Sequence, residues 1–441
     1  MTLSGPRIRD ASLSVDGRPC VYGLGVIYQV APTQIAVQVN RRPSGVAVVD
    51  YEDGVDCFVI DRIEALGDTA PTPILRNAYD RHPETGQRII LTTYPAVGGF
   101  VPLGAKRDDG SPHPHAGTGF GLAVVLGYPA DHADPRPERR GDTLHRWSLQ
   151  QWRFDGRRFI VEHTDMLHAD AVLPDLWVLF RHPITPARQD GDDLLLPVSA
   201  GRAGAAPGSG ISRWRRIDNA WRPVDFTPVT PGDYSIEPSL IRDVDGQWLL
   251  SVRGYGLTDE TRPRWTEGVP ETWDALRLYR SPDAIHWREA MTLHVMRSIS
   301  PIVLNRTVEG QPFFAGNPLR RACFDARGRL RQVAWMREDL FLWPITDDRA
   351  SVGRPVNVLD ARSAFGACRD DPARHVNFWA IDHPVGAVVR LADGRWHSLL
   401  GFRLCDTWEI LQDDPPTAQS GYWLESIHAT TPGDTRPPIR L

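Results

Sequence analysis

Lysine is almost missing from this chain. Lys106 is the only one in 441 residues, and every other basic residue apart from histidine is arginine. No Gly-Lys-Ser/Thr is present, which excludes a phosphate-binding loop of the NTPase kind, and only one side chain could form a Schiff base. Cysteine is scarce too: Cys20, Cys57, Cys323, Cys368 and Cys405 are odd in number, widely spaced and free of any Cys-x-x-Cys. That is neither a disulfide framework nor a zinc site, and it suits a reducing compartment. No run of 18 apolar residues occurs, and the opening MTLSGPRIRDASLSVDG has no apolar stretch of signal-peptide length. We therefore expect a cytoplasmic protein without a membrane partner. A net charge of −5 and a pI near 6.3 argue against a nucleic-acid partner. Sustained 3.6-residue periodicity is absent as well. The best helical candidates are short, such as 358–366.

Turn formers and tryptophan are plentiful, with 38 Gly, 38 Pro and 15 Trp. The recurring unit is a short alternating strand, an Asp-Gly turn and a return strand. Asp-Gly tolerates the positive φ angles of tight hairpins. It occurs at Asp16-Gly17, Asp53-Gly54, Asp109-Gly110, Asp155-Gly156, Asp190-Gly191, Asp245-Gly246 and Asp393-Gly394, and more loosely at Asp325–Gly328. The segments 240–250, 389–400 and 152–161 share one plan of strand, turn and strand. Repeated hairpins without intervening helices predict an all-β repeat fold. At ~40–50 residues per blade, the chain is long enough for a β-propeller of about six blades, with five or seven also compatible. We expect one propeller domain over 1–441. Its long loops, 103–119, 129–142, 183–193, 202–210, 256–272 and 412–420, are candidates for a binding face.

Ser281-Pro282-Asp283-Ala284-Ile285-His286-Trp287 follows the strand 276–280 and resembles the Asp-box of the sialidase superfamily. Asp218-Asn219-Ala220-Trp221 resembles a second, weaker copy. In such a turn the aspartate caps backbone donors and the tryptophan packs beneath it. Ile236-Glu237-Pro238-Ser239-Leu240 through Ser251-Val252-Arg253-Gly254-Tyr255 is similar to the superfamily segment that carries a glutamate on one inner strand and an arginine at the end of the next. The resemblance covers roughly 175–340, including Gly316-Asn317-Pro318 and Trp335-Met336-Arg337. It implies a propeller fold, a glutamate that polarises a tyrosine nucleophile, and an arginine that holds the substrate carboxylate. The family's first Arg-Ile-Pro motif has no counterpart in this sequence. Tyr422 is late enough in the chain for the nucleophile but lacks its surrounding motif.

The candidate catalytic residues are Glu237, Asp175 and His115. Glu237, at the start of an inner strand, would point into the central funnel as a base or nucleophile activator, with its pKa set by neighbouring arginine. Asp175, or Asp170, is a candidate acid, since a glycosidase needs a protonated acid about 5–10 Å from its base or nucleophile. His113 and His115 flank a proline before a glycine-rich run, and a histidine titrates near neutral pH. They lack a third ligand in reach, so no metal is expected, and no cofactor is implied. Arg253, Arg337 and Arg403 each end a strand, a repeat that would suit an anion clamp. Tyr255, His113 and His383 complete the candidate substrate contacts, and His375, Asn377, Trp379 and Asp382 lie near the last of these. The expected partner is a carbohydrate. The leading expectation is a glycoside hydrolase for an acidic or uncommon sugar. A polysaccharide lyase using His and Tyr, or a non-catalytic propeller that binds a glycan or a protein, are the alternatives.

Overall fold

The computed structural model describes residues 7–8, 13, 17, 19–43, 54–130, 144–233, 235–254, 276–293, 301–317, 323–324, 330–331, 339–360, 379–406 and 421–427. They form a six-bladed β-propeller. Blade one is Cys20–Ala31, Gln34–Pro43, Gly54–Ile60 and Thr72–Arg76, from the axis outward. Blade two is Val97–Val101, Thr118–Pro129, Leu144–Phe154 and Phe159–Leu167. In it the hairpin Ala78–Arg81/Arg88–Thr93 extends the inner edge of Thr118–Pro129. The inner strand of blade three is interrupted, with Trp177–Arg181 and Arg188–Asp190 both pairing with Asp193–Arg202. Gly208–Ile217 and Ala220–Thr230 lie outside them.

Blade four is Ile236–Arg242, Trp248–Arg253, Leu276–Ser281 and Arg288–Leu293. Blade five is Val303–Arg306, Pro312–Gly316, Asp339–Pro344 and Val356–Asp360. Blade six is Trp379–Arg390, Trp396–Asp406 and Gly421–Ile427, and its outer strand is Arg7–Ile8 from the start of the chain. A strand from one end of the chain thus completes the last blade and closes the ring, which removes the free edge an open sheet would leave.

The Asp-Gly turns do what their composition implies. Gly156, Gly191, Gly246 and Gly394 all have positive φ at the tips of their hairpins. The looser turn at 325–328 lies outside the described residues. The helix expected over 358–366 does not form where it is described. Val356–Asp360 is a strand, drawn into register by pairing with Asp339–Pro344 at the outer edge of blade five. Residues 361–366 lie outside the described residues.

The core sits between the blades. Trp147, Trp152, Trp214, Trp221 and Trp248 are completely buried there. In the turn 281–287, Asp283 accepts hydrogen bonds from the backbone N–H groups of Ile285 and His286, at 2.9 Å each, and from Ser281 Oγ. These donors hold its carboxyl well below the usual range. Trp287 donates to Ala284 O at 3.1 Å. Asp218 and Asn219 both have positive φ, the backbone of a tight two-residue hairpin, and bring Trp221 under blade three.

Candidate active site at the channel mouth

Three inner strands carry a one-residue bulge at the same level. In blade one it falls between Tyr22 and Gly25, in blade four between Ile236 and Ser239, and in blade six between Asp382 and Val385. In blades four and six the bulge is an X-Pro pair, Glu237-Pro238 and His383-Pro384. Proline suits a bulge because it has no N–H to give to the ladder. Glu237 and His383 have φ of 53° and 49°, the left-handed region that costs a non-glycine residue about 1–3 kcal/mol. Strain repeated at one level of two blades re-aims two polar side chains. Blades two and three carry Tyr94-Pro95 and His182-Pro183 at their inner edge, and Pro301 serves blade five. Pro95, His182, Pro183, Pro301, His383 and Pro384 line one small cavity on the axis with Leu24 and Gly25 of blade one.

Glu237 is buried. Its backbone N–H donates to Ser199 Oγ of blade three at 3.1 Å. Arg253 Nη1 donates to Glu237 Oε2, and Arg181 Nη1 lies 3.6 Å from Oε1. The register explains the first contact, because Ile236 pairs directly with Arg253. The second follows from a bulge that makes Phe180 an extra residue between Leu179 and Arg181. Burial opposes ionisation of Glu237, but the charges of Arg253, Arg181 and His383 outweigh it and hold the carboxyl down at about 2. Glu237 is therefore an anion at neutral pH. It can polarise or orient a neighbour, and it cannot serve as the proton donor. Arg181 keeps a third of its side chain exposed at the mouth. Among the described residues, no cluster of His, Cys, Asp and Glu has the geometry of a metal site.

Of the residues expected from sequence, Glu237, Arg253 and His383 come together here. Arg403 lies at the same level of blade six, paired with Asp382 in the ladder and buried against blade one. An added Cβ on Gly23 would sit 3.6 Å from its Cδ. His113 and His115 do not join them. They sit between Val101, where the inner strand of blade two ends, and Thr118, so they belong to the opposite end of the channel. The buried His113 ring places Nε2 3.2 Å from Gly191 O and accepts at Nδ1 from the His115 N–H at 3.1 Å. These two contacts fix the loop. His115 meets Trp221 edge-on at 5.6 Å. Burial, then the charges of Arg216 and His113, lower its pKa.

Asp175 lies in an exposed turn with φ of 55°, and no hydrogen bond or ion pair joins it to Glu237. Asp170 is likewise exposed. Arg337, Tyr255, His375 and Asn377 lie outside the described residues, as do the side chains of Trp379 and Asp382. Tyr422 is completely buried, and among the described residues its hydroxyl has no hydrogen-bond partner. Its ring fills the space left by Gly25 and Gly401, where an added Cβ would fall 2.4 Å and 1.8 Å from ring or hydroxyl atoms. Burial pushes its pKa far up. Arg181, His182 and Ser199 were not singled out from sequence. The X-Pro pairs at the inner edges were the available signal for His182, while Arg181 depends on a bulge that no local pattern announces.

Set beside solved structures, the fold matches Trypanosoma rangeli sialidase with a TM-score of 0.50 at 13% identity, over 96% of this chain and 57% of that one. A Hadza microbial sialidase matches at 0.50 and 14% identity, over 92% of this chain and 66% of that one. A protein of unknown function from Dyadobacter fermentans matches at 0.50 and 11%, over 96% and 99%. The chain thus spans rather more than half the length of the T. rangeli enzyme, one structure of which holds the inhibitor DANA. No family model matches the sequence, and no curated protein matches it. At these identities the likeness establishes the fold alone, a six-bladed β-propeller. Among the described residues, no helix is long and apolar enough to cross a membrane.

Proposed function

We propose that this propeller is a carbohydrate-active enzyme whose channel mouth takes an acidic sugar, with glycoside hydrolysis as its leading reaction. One observation carries this reading. Two strained X-Pro bulges aim Glu237 and His383 at one end of the axis, where Arg253 and the partly open Arg181 bracket the glutamate. A guanidinium fork meets a carboxylate in two parallel bonds, so Arg181 is the group to receive a substrate's acid function. Glu237, ionised and fixed, would hold Arg253 and orient His383, as a buried carboxylate orients the imidazole of a catalytic pair. Likeness to sialidases supports the carbohydrate class, and the degenerate Asp-box at 281–287 agrees with it.

A polysaccharide lyase is the second reading. It is favoured by the imidazole of His383 near Glu237, while Tyr422, the tyrosine considered for a nucleophile, is sealed in the core. The test is turnover of aryl glycosides and acidic polysaccharides by wild type, Glu237→Gln and Arg253→Ala. New reducing ends without ultraviolet absorbance mean hydrolysis, and absorbance from a new double bond means elimination. Either activity should vanish in both folded variants. Activity that survives both substitutions refutes the site.

A further inference from the structure

At the end of the axis away from Glu237, the inner strands of blades three to six each carry an arginine: Arg188, Arg242, Arg306 and Arg390. Two fold back on their own hairpins. Arg242 Nε donates to Gly246 O at 3.3 Å, and Arg390 Nε donates to Gly394 O at 3.1 Å. The other two behave differently. Arg188 reaches across to blade four, where Nε donates to Leu240 O at 2.9 Å. Among the described residues, the guanidinium of Arg306 makes no hydrogen bond or ion pair. Arg188, Arg242 and Arg306 line one cavity of about 190 Å³ with Gln189, Asn305 and Trp248.

Among the described residues, none of these three guanidiniums has a carboxylate within ion-pair distance, although aspartates are close in the chain. Both oxygens of Asp243 are taken by Arg349. Asp245 is held by Arg280, while Asp190 and Asp193 are held by Arg213. The exposed Glu309, in the turn after Arg306, forms no ion pair with it. Burial, and then the charge of Arg306, bring the pKa of Arg188 down to about 10. A buried charge without a counter-charge is costly, and proteins normally pair it. Here the half-buried Arg188 and Arg306 and the exposed Arg242, from three blades, line one cavity.

We propose that this cavity binds a tetrahedral oxyanion, phosphate or sulfate, free or as the monoester of a small molecule, gripped by Arg188 and Arg306 with Arg242 at the rim. Guanidinium forks match the paired oxygens of such groups, and the cavity is roomier than a bare phosphate needs, so a monoester can enter.

Isothermal titration of the full chain tests this, using inorganic phosphate, sulfate, glucose 6-phosphate and acetate with ionic strength fixed by NaCl. At least one tetrahedral anion should bind more tightly than acetate, and whether the free ion or the ester wins identifies the source. Arg188→Gln and Arg306→Gln should each weaken binding at least tenfold, and Glu237→Gln should leave it unchanged. Without ligand, Arg306→Gln should unfold at a higher temperature than wild type, because the repulsion is gone. Added phosphate, or the tetrahedral anion that binds, should raise the midpoint of wild type and not of the variant. The proposal is overturned if no tetrahedral anion binds wild type, if acetate binds as well, or if both arginine variants bind like wild type.

Discussion

Replacing Glu237 by glutamine should reveal how much the channel mouth depends on one buried anion. In the folded protein its carboxyl lies near 2, against 4.5 when unperturbed. A depressed folded value adds stability above pH 4.5, and that stability is lost as pH falls through about 2. The displacement corresponds to roughly 3 kcal/mol at pH 7, of which roughly 1 kcal/mol is left at pH 3. Glutamine keeps the shape and removes the charge, leaving the Arg253 guanidinium buried beside a neutral amide. Breaking a buried pair from one side typically costs about 3–5 kcal/mol. For a chain of this length, 3 kcal/mol corresponds to roughly 3–4 °C in the unfolding midpoint. Calorimetry of wild type and Glu237→Gln at pH 7, 5, 4 and 3 is the assay. The variant should melt lower at pH 7, and the gap should shrink by roughly 2 kcal/mol by pH 3. A gap of the same size at pH 7 and pH 3 would refute the electrostatic reasoning.

Three further outcomes follow from the packing. Tyr422→Phe should keep full turnover and gain about 1 kcal/mol of stability, since the hydroxyl it removes is buried without a partner; loss of activity in a folded variant would restore Tyr422 as a nucleophile. Gly25→Ala should destabilise the protein by several kcal/mol, because the new methyl would press into the Tyr422 ring between blades one and six; a thermal melt checks it. His115→Ala should retain turnover and its pH profile, because His115 lies at the opposite end of the channel, and a changed profile would contradict that placement.

Much of the architecture was legible in sequence. Asp-Gly turns at 155, 190, 245 and 393 mark hairpin tips because few dipeptides accept those backbone angles, and the density of such turns implies a ring of short strands. The pairing of Glu237 with Arg253 was legible for the same reason: a hairpin of known turn fixes which residues return to the same end. The closing strand Arg7–Ile8 was not legible, because two residues carry no periodicity. Nor was the separation of His113 and His115 from Glu237. The residue pattern around them reads as a site, but only the direction of the inner strand decides which end of the channel a loop serves. Residues 358–360 read as helical in isolation and are strand because a neighbour offers an edge.

The most direct measurement is kcat/KM for the best acidic substrate of the panel and for its methyl ester, in wild type and in Arg181→Met. If Arg181 receives the substrate's acid group beside Glu237, wild type should prefer the acid at least tenfold, and that preference should collapse in the variant while the ester is turned over as before. Equal turnover of acid and ester by wild type would contradict the account.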